Sequence, residues 1–547
     1  MKHKLIFCII ITAGFLSSCK KNFLDKQPLD AYSNSSLWTS AADATAALNG
    51  VYNGEYDNFS WSNGNGWADG TVPVYFDCLS DNAYSQYSWE AFQGFGNGSA
   101  TALTNGYYAA DLWNYTTIQK CNFFLANISP TPMDDTQKAN MIAQVKFIRA
   151  YRYFLMTFIY GAVPLVTESL TPAQADQSVR TSQDSVVKFI LTEIAAAIPD
   201  LNSSITTDGH ITKGAAFALK ARIELYIGDY TSCIADCQTL MGMGYSLFPS
   251  YSDLFRVQNE DNSEVILDVQ YIDNPAANST YVYAVMPSNS MGGQASICPL
   301  QSLVDAYEMK NGKVITDPAS GYDPANPYTN RDPRLAATIL YPGEAFLQSG
   351  SSTASYYDPM TSTSPDYYAS GNNTSPTGYI VKKYTSNLND FTNLYQSGLN
   401  TILIRYAEVL LSYAEAKIES NQIDASVYSA INKVRERAGM PDVDQSVYND
   451  QASLRTLIRR ERRIEFAMEG LRWYDIQRWK IGPQVMIGPV WGANIGTVDP
   501  GTGKYTITGD HLPTVETRQF VDPKNYLWPV PQAEININSK LIQNPGY

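Results

Sequence analysis

The feature that most constrains this chain is a pair of helical patterns joined by almost nothing. Thr212 opens a run through Ile227 whose alanines would let a neighbouring helix approach closely. Thr212 suits an N-cap, and Gly228 suits the left-handed position just past a helix end. After Gly228-Asp229 a second helical pattern starts at once, over residues 230–241. Two helices with so tight a turn must fold back as an antiparallel hairpin, the unit of tetratricopeptide-type solenoids. Further helical patterns cover residues 139–160, with Ile142, Val145, Ile148, Tyr151, Phe154 and Phe158 on one face, and residues 184–198. Another pair covers 402–419 and 425–438, and a last one 452–468 and 473–479, broken at Gly470. No strict 34-residue period links them. The patterns therefore reach as far as a mostly α fold with a solenoid-like helical core.

The stretch from about 240 to 400 interrupts that scaffold. Residues 264–270 read as a strand, as do 379–384, but the rest is dense in Gly, Pro, Ser, Asn and Tyr. Loops of such length within a domain are usually functional or disordered. A second loop-rich, aromatic stretch lies between Asn53 and Gly106. The expected division is a leader over 1–18, an N-terminal helical region over 19–240, and a C-terminal region over 241–547 with a loop-rich insert at about 270–400.

The leader is read from its three parts. Met1 to Lys4 is short and basic, and residues 5–16 are an apolar run of about a dozen residues, against the ~20 needed to span a membrane. Leu16-Ser17-Ser18-Cys19 follows, and small residues ahead of a cysteine here resemble the lipobox of bacterial lipoproteins. Cys19 is thus the expected lipidation site, carrying enough acyl chains to hold the chain on a membrane. The net charge of −14, or −16 once Lys2 and Lys4 leave with the leader, disfavours nucleic acid as a partner. Cys78, Cys121, Cys233, Cys237 and Cys298 form no CxxC, and the three histidines do not cluster. No metal and no cofactor is expected, and buried free thiols are the reading for most of these cysteines.

Several local motifs, in order, carry a resemblance. They include Cys19 to Asp25 with Pro28, Leu112-Trp113 through Asn122, Asn330-Arg331-Asp332-Pro333-Arg334, and Ile404-Arg405-Tyr406-Ala407-Glu408. The most specific is Arg460-Glu461-Arg462-Arg463 with Glu465-Phe466, then Gly470-Leu471-Arg472-Trp473-Tyr474-Asp475. Trp528-Pro529-Val530-Pro531 and the terminal Asn544-Pro545-Gly546-Tyr547 close the series. Taken together the chain resembles the SusD/RagB family of outer-membrane nutrient-binding lipoproteins. That resemblance implies a tetratricopeptide-like α–α superhelix of helical hairpins carrying a loop-rich irregular region. It implies, too, capture of oligo- or polysaccharide at the cell surface and delivery to a TonB-dependent, SusC-like transporter. It also implies an outer-membrane location, lipid-anchored and facing the exterior.

A sugar site needs flat aromatic platforms and polar side chains for hydroxyls. The resemblance places such contacts in the loops before Trp113 and in the irregular later region. The candidates are Asp81, Asn82, Tyr84, Tyr87 and Trp89, with Trp61 and Trp67 behind them, and Tyr281 and Tyr283 later. Trp89 leads, because Gln86, Ser88 and Glu90 around it are polar. Trp113, Trp473, Trp479 and Trp528 are assigned to the core. The run Arg459 to Arg463 is read as structural, paired along its helix with Glu461, Glu465 and Glu469, and Arg472 and Arg478 are expected to stack on Trp473 and Trp479. No catalytic motif singles out a carboxylate pair, so an enzyme is not expected. The alternatives are a structural, adhesive or peptide-binding surface lipoprotein, and a cryptic hydrolase.

Overall fold

Helix ends explain most of the architecture. The computed structural model describes residues 38–53, 72–104, 112–203, 208–274, 279–348 and 350–547. Cys19, Trp61 and Trp67 lie outside the described residues. The helices are α1 (Ala41–Tyr52), α2 (Thr116–Asn127), α3 (Asp135–Tyr160), α4 (Gln183–Ala197), α5 (Lys213–Ile227) and α6 (Tyr230–Met241). They continue with α7 (Tyr406–Glu419), α8 (Ala425–Arg437), α9 (Gln451–Glu465) and α10 (Leu471–Trp479). Thr212 caps α5 through the Ala215 amide, and Gly228 turns left-handed at φ 80° to end it. Asp229 then caps α6 through Ser232, so the hairpin closes within two residues.

Successive helices pack in order: α2 on α3, α3 on α4, α5 on α6, then α7 on α8 and α9. The step from α6 to α7 is different. These two pack directly, although some 160 residues separate them in the chain. Everything between is looped out of the stack. Its base is closed by two antiparallel strands of a set of short ones: β1 (Ala83–Ser85), β2 (Val265–Val269), β3 (Ile297–Pro299) and β4 (Thr401–Arg405). The closing pair is β2 with β4. The expected helix over 402–419 therefore begins only at Tyr406. Ile402, Leu403 and Ile404 fit a buried strand as well as a helix, and pairing with β2 decides it. The expected strand at 379–384 is only Ile380–Val381.

A charged joint inside the molecule fixes the insert to the stack. Glu461 and Glu465 point from α9 into the interior, where they cannot meet the arginines of their own exposed face. Arg334 of the insert reaches both, at 2.6 and 2.9 Å, while Asp332 braces it at 2.8 Å. Arg435 and Arg437 of α8 reach Glu461 and Glu465, and Arg405, at the start of α7, reaches Glu465 at 2.7 Å and Glu469 at 2.7 Å. The expectation of pairing along the helix is thus corrected: the acids take partners from distant elements. The basic run is also dispersed. Arg460 goes to Glu308, Arg462 to Asp475, and Arg463 to Asp81. Removing one partner from such a buried set costs about 3–5 kcal/mol, although the set as a whole need not stabilise the fold.

The tryptophan assignments largely follow. Trp113, Trp473 and Trp528 are buried, the last stacked on Phe95 at 3.6 Å. Trp479 is half-buried; its indole N–H donates to Glu415 at 2.8 Å, and Arg459, Arg472 and Arg478 lie over its ring. The five described cysteines are free and buried.

Candidate functional site

The site is built on β1 and the turn that leaves it. β1 pairs with β3, setting Tyr84 opposite Cys298. A 3₁₀ turn, Ser88–Glu90, follows and stops at Ala91, which adopts φ 68°. The turn sends its consecutive side chains opposite ways. Glu90 goes inward, with no solvent exposure, and its carboxylate accepts from the Tyr75 hydroxyl at 2.9 Å and the Ser85 hydroxyl at 3.0 Å. Trp89 goes outward and is 55 % exposed.

Trp89 is not a loose ring. It stacks on Tyr87 with centroids 6.1 Å apart and planes 25° apart. The Tyr87 hydroxyl in turn donates to Asn373 Oδ1 at 2.6 Å. Two flat rings, one anchored across 286 residues of sequence, therefore face water together. Sequence reasoning did not single out Asn373, which sits in a tract of similar polar residues. Tyr84 is buried among Cys298, Leu300, Val490 and Val515, with its hydroxyl accepting from Gln93 at 2.7 Å.

The other expected contacts face elsewhere. Asp81 is buried, and Arg472 holds both its carboxylate oxygens at 2.7 and 2.9 Å, with Arg463 at 3.1 Å. Burial alone would raise the Asp81 carboxyl, but the two guanidiniums outweigh it and hold the group well below the usual carboxylate range. Asn82 is buried too, donating to Asp77 at 2.7 Å and accepting from Arg463 at 2.8 Å. These two residues fasten the 72–104 segment to α9 and α10, so neither is presented to a ligand. Tyr283 is fully buried, its hydroxyl donating to the Asn400 carbonyl at 2.9 Å, and Tyr281 is buried beside it. The geometry brings Tyr87 and Trp89 together at the surface, and buries Tyr84 in a small cluster of its own.

Burial pushes the Glu90 carboxyl up to about 7, against the hydrogen bond from Tyr75. The Cys298 thiol under the site is pushed up to about 12, again by burial. Among the described residues no group of three His, Cys, Asp or Glu side chains is placed to hold a metal ion. Nor is any described helix long and apolar enough to cross a membrane.

Residues 254–547, more than half of the chain, match the family model described as the SusD family. The chain belongs to the SusD family. A second model, described as starch-binding and associating with the outer membrane, matches residues 22–225 of this SusD-family chain. A SusD-like protein of Formosa agariphila, P38, is 26 % identical over 520 residues, covering 89 % of this chain and 93 % of its own. The crystal structure of a SusD-like carbohydrate binding protein from Bacteroides fragilis superposes with a TM-score of 0.78 at 31 % identity, covering 92 % of this chain and all of that one. A laminarin binding SusD-like protein shares the fold, with a TM-score of 0.68 at 23 % identity over 93 % of this chain and all of its own.

Proposed function

We propose that this protein captures oligo- or polysaccharide on the Trp89–Tyr87 platform and delivers it to a TonB-dependent, SusC-like transporter. The observation that carries the reading is the exposed Trp89 ring, held flat by Tyr87 and backed by a buried carboxylate. Sugar rings present apolar C–H faces that such a surface matches. Kinship supports the ligand class, since relatives of the same fold are described as carbohydrate binding and laminarin binding. A lipid on Cys19 would tether the platform at the outer membrane, facing outward beside the transporter.

The reading is of binding without hydrolysis. A hydrolase needs two carboxyls across one bond. The carboxyls nearest the platform in sequence, Asp81 and Glu90, are both turned inward and held there. The test is migration of purified protein in native gels containing soluble polysaccharides. Trp89→Ala keeps the fold and loses retardation on the glycan that retards the parent. Equal retardation of variant and parent would refute the platform, and release of reducing ends from that glycan would refute the non-catalytic reading.

A further inference from the structure

A second exposed aromatic pair stands at the other end of the segment that anchors Tyr87. Trp491 is 40 % exposed and stacks on the His511 ring at 5.9 Å, with the planes 27° apart. Its loop is held firmly. The Gln301 amide donates to the Trp491 carbonyl at 2.9 Å, and the Ala493 amide donates to the Thr377 carbonyl at 2.8 Å. Gly492 lies so close to Thr377 that any side chain there would collide with the Thr377 backbone.

The pair has the polar fringe that a sugar site requires. His511 Nδ1 is shielded from water and has no hydrogen-bond partner among the described residues. Asp305, exposed on the short helix Gln301–Ala306, accepts from Gln301 Nε2 at 2.7 Å. Gln301 thus ties the Trp491 carbonyl to an exposed carboxylate, so a stacking ring and a hydroxyl acceptor lie close together.

The two pairs are mechanically linked. Asn373 touches Tyr87, and Thr377 holds the Trp491 loop, so their anchors lie four peptide steps apart. That spacing is at most about 15 Å. A chain of several sugar units is long enough to span such a gap.

We propose that Trp491 and His511 form a second sugar-stacking surface, engaged together with Trp89 and Tyr87 by chains long enough to reach both. This rests on the reading of Trp89 as a glycan platform. Its consequence is selection by length: the intact polymer or a long fragment is held at two points, and short products at one.

The test uses the full mature chain and a panel of starch, laminarin, xylan and mannan, with size-fractionated oligosaccharides of whichever is retained. Affinities are compared by titration calorimetry for the parent, Trp89→Ala, Trp491→Ala and Trp491→Phe. For the longest fraction Trp491→Ala loses roughly ten- to hundredfold, as expected when a second linked contact is removed, and Trp491→Phe recovers most of it. For the shortest fraction Trp491→Ala equals the parent, while Trp89→Ala is weakened at every length. Equal affinity of Trp491→Ala and parent for the longest fraction, with Trp89→Ala still weakened, overturns the second surface and leaves the first standing. Loss of short-chain binding or of the parent's circular dichroism in Trp491→Ala also overturns it, since the ring would then serve the first site or the fold. A parent that binds nothing in the panel refutes both readings.

Discussion

Replacing Glu90 with glutamine tests whether the carboxylate behind the platform is a strained element of the fold. In the folded protein its carboxyl is pushed up to about 7 from an ordinary 4.5, and burial is the first cause. A displacement of that size corresponds to roughly 3 kcal/mol. The sign follows from which state holds the proton. Between pH 4.5 and 7 the unfolded chain has released it and the folded chain retains it, so stability falls as pH rises through that window. Above about 7 both states are ionised and the whole cost is present. Glutamine is neutral throughout, and its carboxamide can accept from Tyr75 while donating to Ser85, whose hydroxyl rotates to suit. Glu90→Gln should therefore match the parent near pH 4.5 and exceed it by about 3 kcal/mol at pH 8. Urea denaturation followed by tryptophan fluorescence at pH 4.5, 6 and 8 reads the difference. A gap between variant and parent that does not change with pH would refute the reasoning. It would mean that the carboxylate is as well solvated in the fold as in water.

Three further outcomes are expected. Arg472→Ala leaves Asp81 buried with Arg463 alone and should cost about 3 kcal/mol, measured as a lowered denaturation midpoint; normal stability with lost glycan binding would reverse the assignment of this arginine to the fold. Gly470→Ala places a side chain against the Pro73 backbone at a position with φ 77°, and a penalty of about 1–3 kcal/mol is expected, read as a fall in melting temperature. Cys19→Ser should move the protein from the detergent phase to the aqueous phase in Triton X-114 partitioning of whole cells, and continued membrane retention would refute the anchor.

The helices were legible because their ends announce themselves. Thr212 and Gly228 cap α5 as read, and Gly161 ends α3 at φ 72°. What stayed hidden depended on partners remote in sequence. Asp81 reads as an exposed polar residue until Arg472, 391 positions on, is folded against it. Glu461 and Glu465 read as partners of their own helix until Arg334 arrives from the insert. The strand at 401–405 is undecided until β2 lies beside it. The exposure of Trp89 was legible from its polar neighbours, although one of them, Glu90, faces inward. Trp491 was passed over because a lone tryptophan among glycines carries no periodicity.

The two-strand stem between α6 and α7 has an implication for how such a protein can change. Because the helices meet directly across it, the stack does not register how long the intervening excursion is. Closing a loop twice as long costs only about 0.6 kcal/mol more. What any replacement must supply is a set of plugs: Asp332 and Arg334 for α9, Glu308 for Arg435 and Arg460, Lys383 for Glu469, and the apolar side chains, Tyr251, Phe255, Tyr283 and Tyr307 among them, that share one core with the helices. Rims and tips between those plugs are free to be rewritten. The scaffold thus works as a socket, and a new surface chemistry can be fitted to it without redesigning the helices that hold it.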